Sequence, residues 1–157
     1  MHGIGNMFKQ IDISKKGTVY REAEATGRII LSKETLERIK EGKIEKGNPI
    51  SLAELSSING AKLTPQIIIL CHHIKIEKVE PIVKVEEDSV VVNVVVGSHE
   101  KTGVEMEALM AVTSALLNIW DAVKKYEKDS KGQYPHTKIM DIRVVRKVKK
   151  KNGTHKA

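Results

Sequence analysis

A chain of 157 residues, 40% hydrophobic and 30% charged, can bury one core and is too apolar to stay disordered, so it reads as a single domain over 1–157. One cysteine, Cys71, excludes an internal disulfide framework and a cysteine-only zinc site. No apolar run approaches the ~18 residues of a membrane span. The formal charge of +7 favours an anionic partner.

In chain order, "TVYREAEATGRII" (18–30) sets Val19, Arg21, Ala23 and Ala25 against Tyr20, Glu22 and Glu24, the period of an extended strand. "LSKETLERIKEGK" follows as a helix with Ser32 as cap, an apolar stripe at Leu36 and Ile39, and Gly42 as its end. Asn48 and Pro49 suit the cap and first position of a second helix, whose apolar side uses Ile50, Ala53, Leu55, Ile58 and Ala61 and which Pro65 is expected to stop. After "QIIILCHH", the segment "KIEKVEPIVKVEE" alternates as a strand with Ile74, Ile76 and Ile82 or Val83. Its Pro81 marks a bulge or an edge. Glu86, Glu87 and Asp88 read as a hairpin turn into "SVVVNVVVG". A long helix then carries Met106, Leu109, Met110, Leu116, Leu117, Trp120 and Val123 at near-helical spacing, and "KIMDIRVVRKVKK" closes as a strand.

The pattern strand, helix pair, strand, strand, helix, strand predicts an α+β fold. It fits a ferredoxin-like sandwich, a mostly antiparallel sheet with helices packed on one face. The valine run 90–96 is apolar on both sides, which predicts that the uncovered face meets another subunit. Residues 149–157 read as a basic, flexible tail. The first ten residues lack the layout of a signal peptide, so the cytoplasm is the expected compartment. Aromatics make up 3%, too few for the stacking platforms of single-stranded nucleic-acid binders.

Four constellations could carry chemistry. Glu105 and Glu107 stand at a helix entrance, where acids complement the positive end of the helix dipole. Two residues apart, they diverge by about 200° on a regular helix. An extended entry at Gly103 would let both face one pocket. Asp121 and Lys124, three apart, share a helix face and read either as a surface ion pair or, beside Trp120, Ala122 and Val123, as a partly desolvated acid–base pair. "LCHH" brings Cys71, His72 and His73. Neighbours on an extended chain point apart and no zinc spacing accompanies them, so no metal is expected, while one histidine remains a candidate hydrogen-bond donor. Lys46 lies before a capped helix start, a setting that favours anions. Lys62 and Lys147, the latter among Arg143, Arg146, Lys149 and Lys150, are solvated by default. No Walker or dinucleotide loop is present.

Taken together, "KGNPI", "NGAKLT", "IIILCHHIKIEKVE", "KTGVEMEALMAV" and "NIWDAVKKYEKD" resemble the cyclic pyranopterin monophosphate synthase family (MoaC) of molybdenum cofactor biosynthesis, over about residues 10–148. The resemblance implies a lyase that rearranges 3′,8-cyclo-7,8-dihydroguanosine 5′-triphosphate to cyclic pyranopterin monophosphate and releases pyrophosphate, with no metal or organic cofactor. It implies Asp121 and Lys124 as the acid–base centre, with Lys46 working on the ring chemistry or anchoring substrate. Leu70, Cys71 and His72 would form a substrate-binding wall. Glu105, Met106 and Glu107 would bring carboxylates suited to a guanine-like edge or to general base work. Lys62 and Arg21 match basic positions that could hold phosphate, and Lys147 matches a lysine of the last strand. It further implies a homo-hexamer, a trimer of dimers, with sites at a subunit interface and no membrane or nucleic-acid partner. His73 stands where the family has proline, Asn48 where it has aspartate, and Trp120 where tyrosine is common. The family's glycine-rich ending is replaced by Val148-Lys149-Lys150-Lys151-Asn152-Gly153. A catalytically silent relative, or a basic module gripping RNA through the C-terminal lysines, are the alternatives.

Overall fold

In the middle of the first strand every second residue, Ala23, Ala25 and Gly27, is small, and this sets how closely a helix can lie on the sheet. In the computed structural model, which describes residues 7–151, strand β1 (Val19–Ile30) buries Ala23, Ala25, Gly27 and Ile29 on one face and leaves Glu22, Glu24, Thr26 and Arg28 on the other. Strands β2 (Lys78–Val85), β3 (Ser89–Glu100) and β4 (Lys138–Lys150) complete one antiparallel sheet in the order β2-β3-β1-β4. Helices α1 (Lys33–Glu41), α2 (Pro49–Ile67) and α3 (Glu105–Glu127) intervene in the sequence. Helices α2 and α3 pack on each other and on one face of the sheet, giving an α+β fold of the ferredoxin-like kind.

The core lies between β1, β3 and α3. Ala23, Ala25, Ile29, Val90, Val92, Val94 and Val96 meet Ala108, Ala111, Val112, Ala115, Leu116, Ile119 and Val123, all fully buried. A side chain at Gly27 would come within 2.9 Å of Val112 and 3.0 Å of Leu116, so the glycine is there for close approach rather than for a turn. Truncating Leu116 to alanine here would cost about 2–5 kcal/mol.

The capping signals act as the local chemistry predicts. The Ser32 hydroxyl accepts from the Thr35 amide, Gly42 ends α1 at φ 70°, and Asn48 caps α2 ahead of Pro49. Pro81 lies in β2, an edge strand, where a missing amide donor is tolerated.

Several expectations are corrected. Pro65 does not stop α2, which runs on to Ile67; the proline sits in the last turn, where a single lost hydrogen bond is tolerable. Ile74 and Ile76 precede β2 in an irregular segment rather than alternating within the strand. Leu55 is exposed, as are Met106 and Leu117. Leu116 and Val123 do face inward as expected, and Ala108, Ala111, Val112, Ala115 and Ile119 complete the buried face of α3. β4 includes Lys149 and Lys150, paired with Arg21 and Tyr20, and the remainder of the expected tail from residue 152 lies outside the described residues. The strand is also irregular, with register shifts against β1 and Asp141 at φ 61°, a conformation aspartate tolerates better than most.

The uncovered face of the sheet is not the bare apolar surface the valine run suggests. Val91 and Val95 are half-buried there, beside a polar network centred on Glu22. Its carboxylate accepts from Tyr20 Oη at 2.6 Å, Lys78 Nζ at 2.7 Å and Arg146 Nη2 at 2.8 Å. Arg146 Nε also donates to Glu24 at 2.9 Å, and Asn93 donates to the other Glu24 oxygen at 2.9 Å. Burial pushes the Glu22 carboxyl up, but the donors together outweigh burial and hold it at about 2.

Candidate active site

The residues with chemical potential fall into two groups at opposite ends of α3. At the C-terminal end, Asp121 is clasped by two ammonium groups. Lys46 Nζ lies 2.9 Å from Oδ2 and Lys124 Nζ lies 3.0 Å from Oδ1. Lys46 arrives from the loop before the Asn48 cap, and its Nζ also donates to the Asp121 carbonyl at 3.3 Å. Trp120 packs edge-on against Tyr134 at 5.2 Å between ring centroids. With Leu117, Lys124 and Ile139 these rings line a shallow pocket beside Asp121.

All three charged heads remain in solvent, with side-chain exposures of 59% for Asp121, 43% for Lys124 and 50% for Lys46. The expected partial desolvation of the pair is therefore absent within one chain: Trp120 turns toward Tyr134 and leaves the heads open. Hydrogen bonds from Lys46 and Lys124 hold the Asp121 carboxyl below the usual range, and the bond to Asp121 holds the Lys124 ammonium above its own. Asp121 is thus anionic and Lys124 cationic, a charged triad able to receive an anionic substrate group.

At the N-terminal end of α3 a second pocket is lined by Leu70, Cys71, His72, Thr102, Gly103, Glu105 and Met106, together with Ile68 and residues of the N-terminal segment. The helix is regular from Glu105 onward, and its cap residue, Val104, supplies no side-chain bond. The extended entry that would have put both glutamates on one side is not what forms. Glu105 folds back over Gly103, which has no Cβ to obstruct it, and borders the pocket. Lys147 of β4 donates to its Oε2 at 3.0 Å. Glu107 turns inward, 1% exposed, behind the wall made by Cys71.

Glu107 is the unusual group. Its Oε1 is buried without a hydrogen-bond partner among the described residues. Its Oε2 has the Cys71 thiol at 3.9 Å. Burial, reinforced by the nearby Glu105 charge against the Glu107 amide and the thiol, pushes its carboxyl up to about 7. At neutral pH it is poised between acid and base. The Cys71 thiol is pushed up as well, by burial and then by Glu107, so it stays protonated and serves as a donor rather than a nucleophile. His72 Nε2 lies 2.6 Å from the Ile11 carbonyl. A carbonyl only accepts, so that nitrogen carries the proton.

The other expected residues are scattered. Arg21 donates through Nε to the Glu100 carbonyl at 3.1 Å and through Nη2 to the Lys101 carbonyl at 3.4 Å, buttressing the turn that leads to Glu105. Lys62 lines a separate groove between α2 and α3 with Leu52, Leu55, Asn59 and Asn118. No group of three His, Cys, Asp or Glu placed to hold a metal exists among the described residues. Sequence reasoning missed the N-terminal segment altogether. Ile11, Ile13 and Lys16 line the second pocket, yet no periodicity marks them. The one available signal was the Asp12-x-Ser14 turn, in which the Ser14 amide donates to Asp12 Oδ1 at 2.9 Å.

Known proteins share this sequence over almost its whole length. A sequence model of the MoaC family matches residues 10–153. A protein of Saccharolobus solfataricus named "Probable cyclic pyranopterin monophosphate synthase" is 51% identical over 144 residues, 92% of this chain and 97% of that protein. A Pyrococcus horikoshii protein of the same name is 51% identical over 145 residues, 92% of this chain and 91% of its own length. One from Methanosarcina acetivorans, again of that name, is 47% identical over 141 residues, 90% of this chain and 89% of the relative. The chain belongs to the MoaC family.

Proposed function

We propose that the protein is a cyclic pyranopterin monophosphate synthase, a lyase of molybdenum cofactor biosynthesis. Its substrate is 3′,8-cyclo-7,8-dihydroguanosine 5′-triphosphate. The purine-derived ring opens and recloses as a pyranopterin. A sugar hydroxyl then forms a bond to the α-phosphorus as the bond to the pyrophosphate group breaks, leaving a cyclic phosphate. The observation that carries this reading is the Asp121 carboxylate held between Lys46 and Lys124. The triad offers both an acceptor and donors for the proton transfers of ring opening and closure, in a field that attracts a triphosphate.

The pocket at Cys71, His72, Glu105 and Met106 is the second half of this site. Glu105 suits the donor edge of a guanine-like ring, and Glu107 supplies a carboxyl of near-neutral pKa behind it. Lys147 stands beside Glu105 as a further cation, and Arg21 holds the backbone at Glu100 and Lys101. Lys62 faces a different groove and is assigned a role at the phosphate end only through the family resemblance.

Glu105 and Asp121 are sixteen residues apart on one helix, about 24 Å at 1.5 Å per residue, farther than one nucleotide spans. We therefore read each chain as two half-sites that are completed by other copies, in a homo-oligomer assembled as a hexamer of three dimers and acting in the cytoplasm. Closure by a neighbouring copy would supply the desolvation that the Asp121 triad lacks alone, moving Lys124 toward proton transfer.

The direct test is incubation with the cyclised triphosphate while pyrophosphate and the oxidised pterin product are measured. Wild-type protein is expected to form both, and Asp121→Asn neither. No product from well-folded wild-type protein would remove the activity. Normal turnover by Asp121→Asn would remove the assigned centre. Mixing refolded Asp121→Asn and Glu105→Gln chains is expected to restore part of the activity that each has lost, because some mixed interfaces pair two intact halves. A mixture as inactive as its parents would place both halves in one chain.

A further inference from the structure

The pocket at the start of α3 has one wall that neither the motifs nor the assigned roles account for. The segment from Gln10 to Lys16 crosses its mouth, and the site's own residues hold it there. Gln10 Nε2 donates to the Cys71 carbonyl at 3.3 Å, His72 Nε2 donates to the Ile11 carbonyl at 2.6 Å, and Lys101 Nζ approaches the Ser14 carbonyl at 3.5 Å. The Ser14 amide bonds to Asp12 and the Lys16 amide to the Ile13 carbonyl at 3.0 Å. These two turns fold the segment so that Ile11, Ile13 and Lys16 line the pocket and Lys15 does not.

The cations around this pocket differ in what they are free to do. Lys147 is bound to Glu105, Arg21 to two backbone carbonyls, and Lys101 to the segment itself. Lys16 alone lines the pocket as a cation, and its ammonium has no hydrogen bond or ion pair among the described residues. An ammonium beside an apolar wall, with no acid of its own, is available to an incoming anion.

We propose that Lys16 is a further substrate-binding residue, carried to the pocket mouth by the segment that His72 and Gln10 hold, and that it takes an anionic oxygen of the substrate's triphosphate. The proposal rests on the reaction assigned above. It also makes His72 a positioning residue, because its Nε2 proton fixes the segment, and so places the lysine, instead of meeting the substrate.

Lys16→Ala and Lys15→Ala separate this role from general charge, since each removes one cation and only one of the two lines the pocket. GTP, which carries the same base edge and triphosphate, is the binding probe, titrated by calorimetry at fixed salt. Lys16→Ala is expected to weaken GTP binding roughly tenfold, the loss of one charge-assisted hydrogen bond. It should raise KM for the cyclised triphosphate by a similar factor with kcat within about threefold. Lys15→Ala should change either quantity less than twofold. Equal affinities for wild type and Lys16→Ala, equal losses in the two variants, or no GTP binding by wild type overturns the inference. If Lys16 governs GTP binding but wild type turns over no cyclised substrate, the assigned reaction falls while the binding site stands. If turnover is normal and KM is indifferent to Lys16, the reaction stands and this role falls.

Discussion

Glu107 and Glu127 occupy the first and last turns of the same helix, and both are buried, at 1% and 8% exposure. Their surroundings could hardly differ more. Glu127 accepts from the Ser32 amide at 3.1 Å, the Ser32 hydroxyl at 2.8 Å, the Thr137 hydroxyl at 2.6 Å and the Thr35 hydroxyl. Burial pushes its carboxyl up, yet these donors bring it below the ordinary value. Glu107 has a weak thiol donor, an orphan oxygen and a carboxyl at about 7. The helix dipole alone would order them the other way, favouring the anion at the N-terminus by about 0.3–1 kcal/mol. Hydrogen bonds to a charged group contribute about 1.5–3 kcal/mol each, so the local donors decide. One end of α3 spends its polar groups on holding α1 and the start of β4. The other leaves a carboxyl unsatisfied at the wall of a pocket.

The largest effect should come from removing the saturated acid. Glu127→Ala leaves Ser32, Thr35 and Thr137 without their acceptor and is expected to destabilise the fold by about 3 kcal/mol, measured by urea unfolding, with turnover per folded molecule unchanged. Loss of activity at full stability would erase the contrast. Glu107→Gln should do the reverse, lowering kcat/KM roughly a hundredfold with no loss of stability at pH 8.

A pH series sharpens the contrast further. Unfolded, Glu107 titrates near its ordinary 4.5 and, folded, near 7. Between these values the folded state holds the extra proton, so stability falls as pH rises through that window. Wild type should lose about 3 kcal/mol between pH 4.5 and 8 relative to Glu107→Gln. Parallel curves would show that the carboxyl is not perturbed. The smallest effect belongs to the uncovered face. Glu22 titrates at about 2 when folded against 4.5 unfolded, so its contribution is complete above pH 4.5 and is lost as pH falls toward 2. About 1 kcal/mol is expected after allowance for the partly exposed Arg146, visible as a shallower acid limb in Glu22→Gln.

The sequence carries one half of this contrast more clearly than the other. Ser32, Gly42, Asn48 and Pro49 announce their caps because capping depends on neighbouring atoms, and the alternation of β1 and the hairpin at 86–88 are equally local. Asp121 and Lys124 are legible as a pair for the same reason, three residues apart on a helix. Glu127 was invisible: it is one glutamate among many until the fold brings Ser32, Thr35 and Thr137 around it. The inward turn of Glu107 was likewise hidden, since it depends on where α3 begins and on the irregular segment that carries Cys71. Apolar spacing marks Leu116 and Val123 of α3 correctly as buried but not Met106 and Leu117, which are exposed, while Ala108, Ala111 and Ala115 take inward positions that size alone does not signal.

The central place of β1 has a consequence for how the protein is made. Strand β1 must pair with β3 and with β4, both synthesised well after it, and the Arg146–Glu24 bond joins residues 122 apart. Contacts of such long sequence separation form slowly. Until β4 arrives, β1 keeps an unpaired edge that a second nascent chain could capture. Strand β4 also delivers Lys147 to Glu105, so the Glu105 edge of the pocket takes its final form only after β4 has paired with β1.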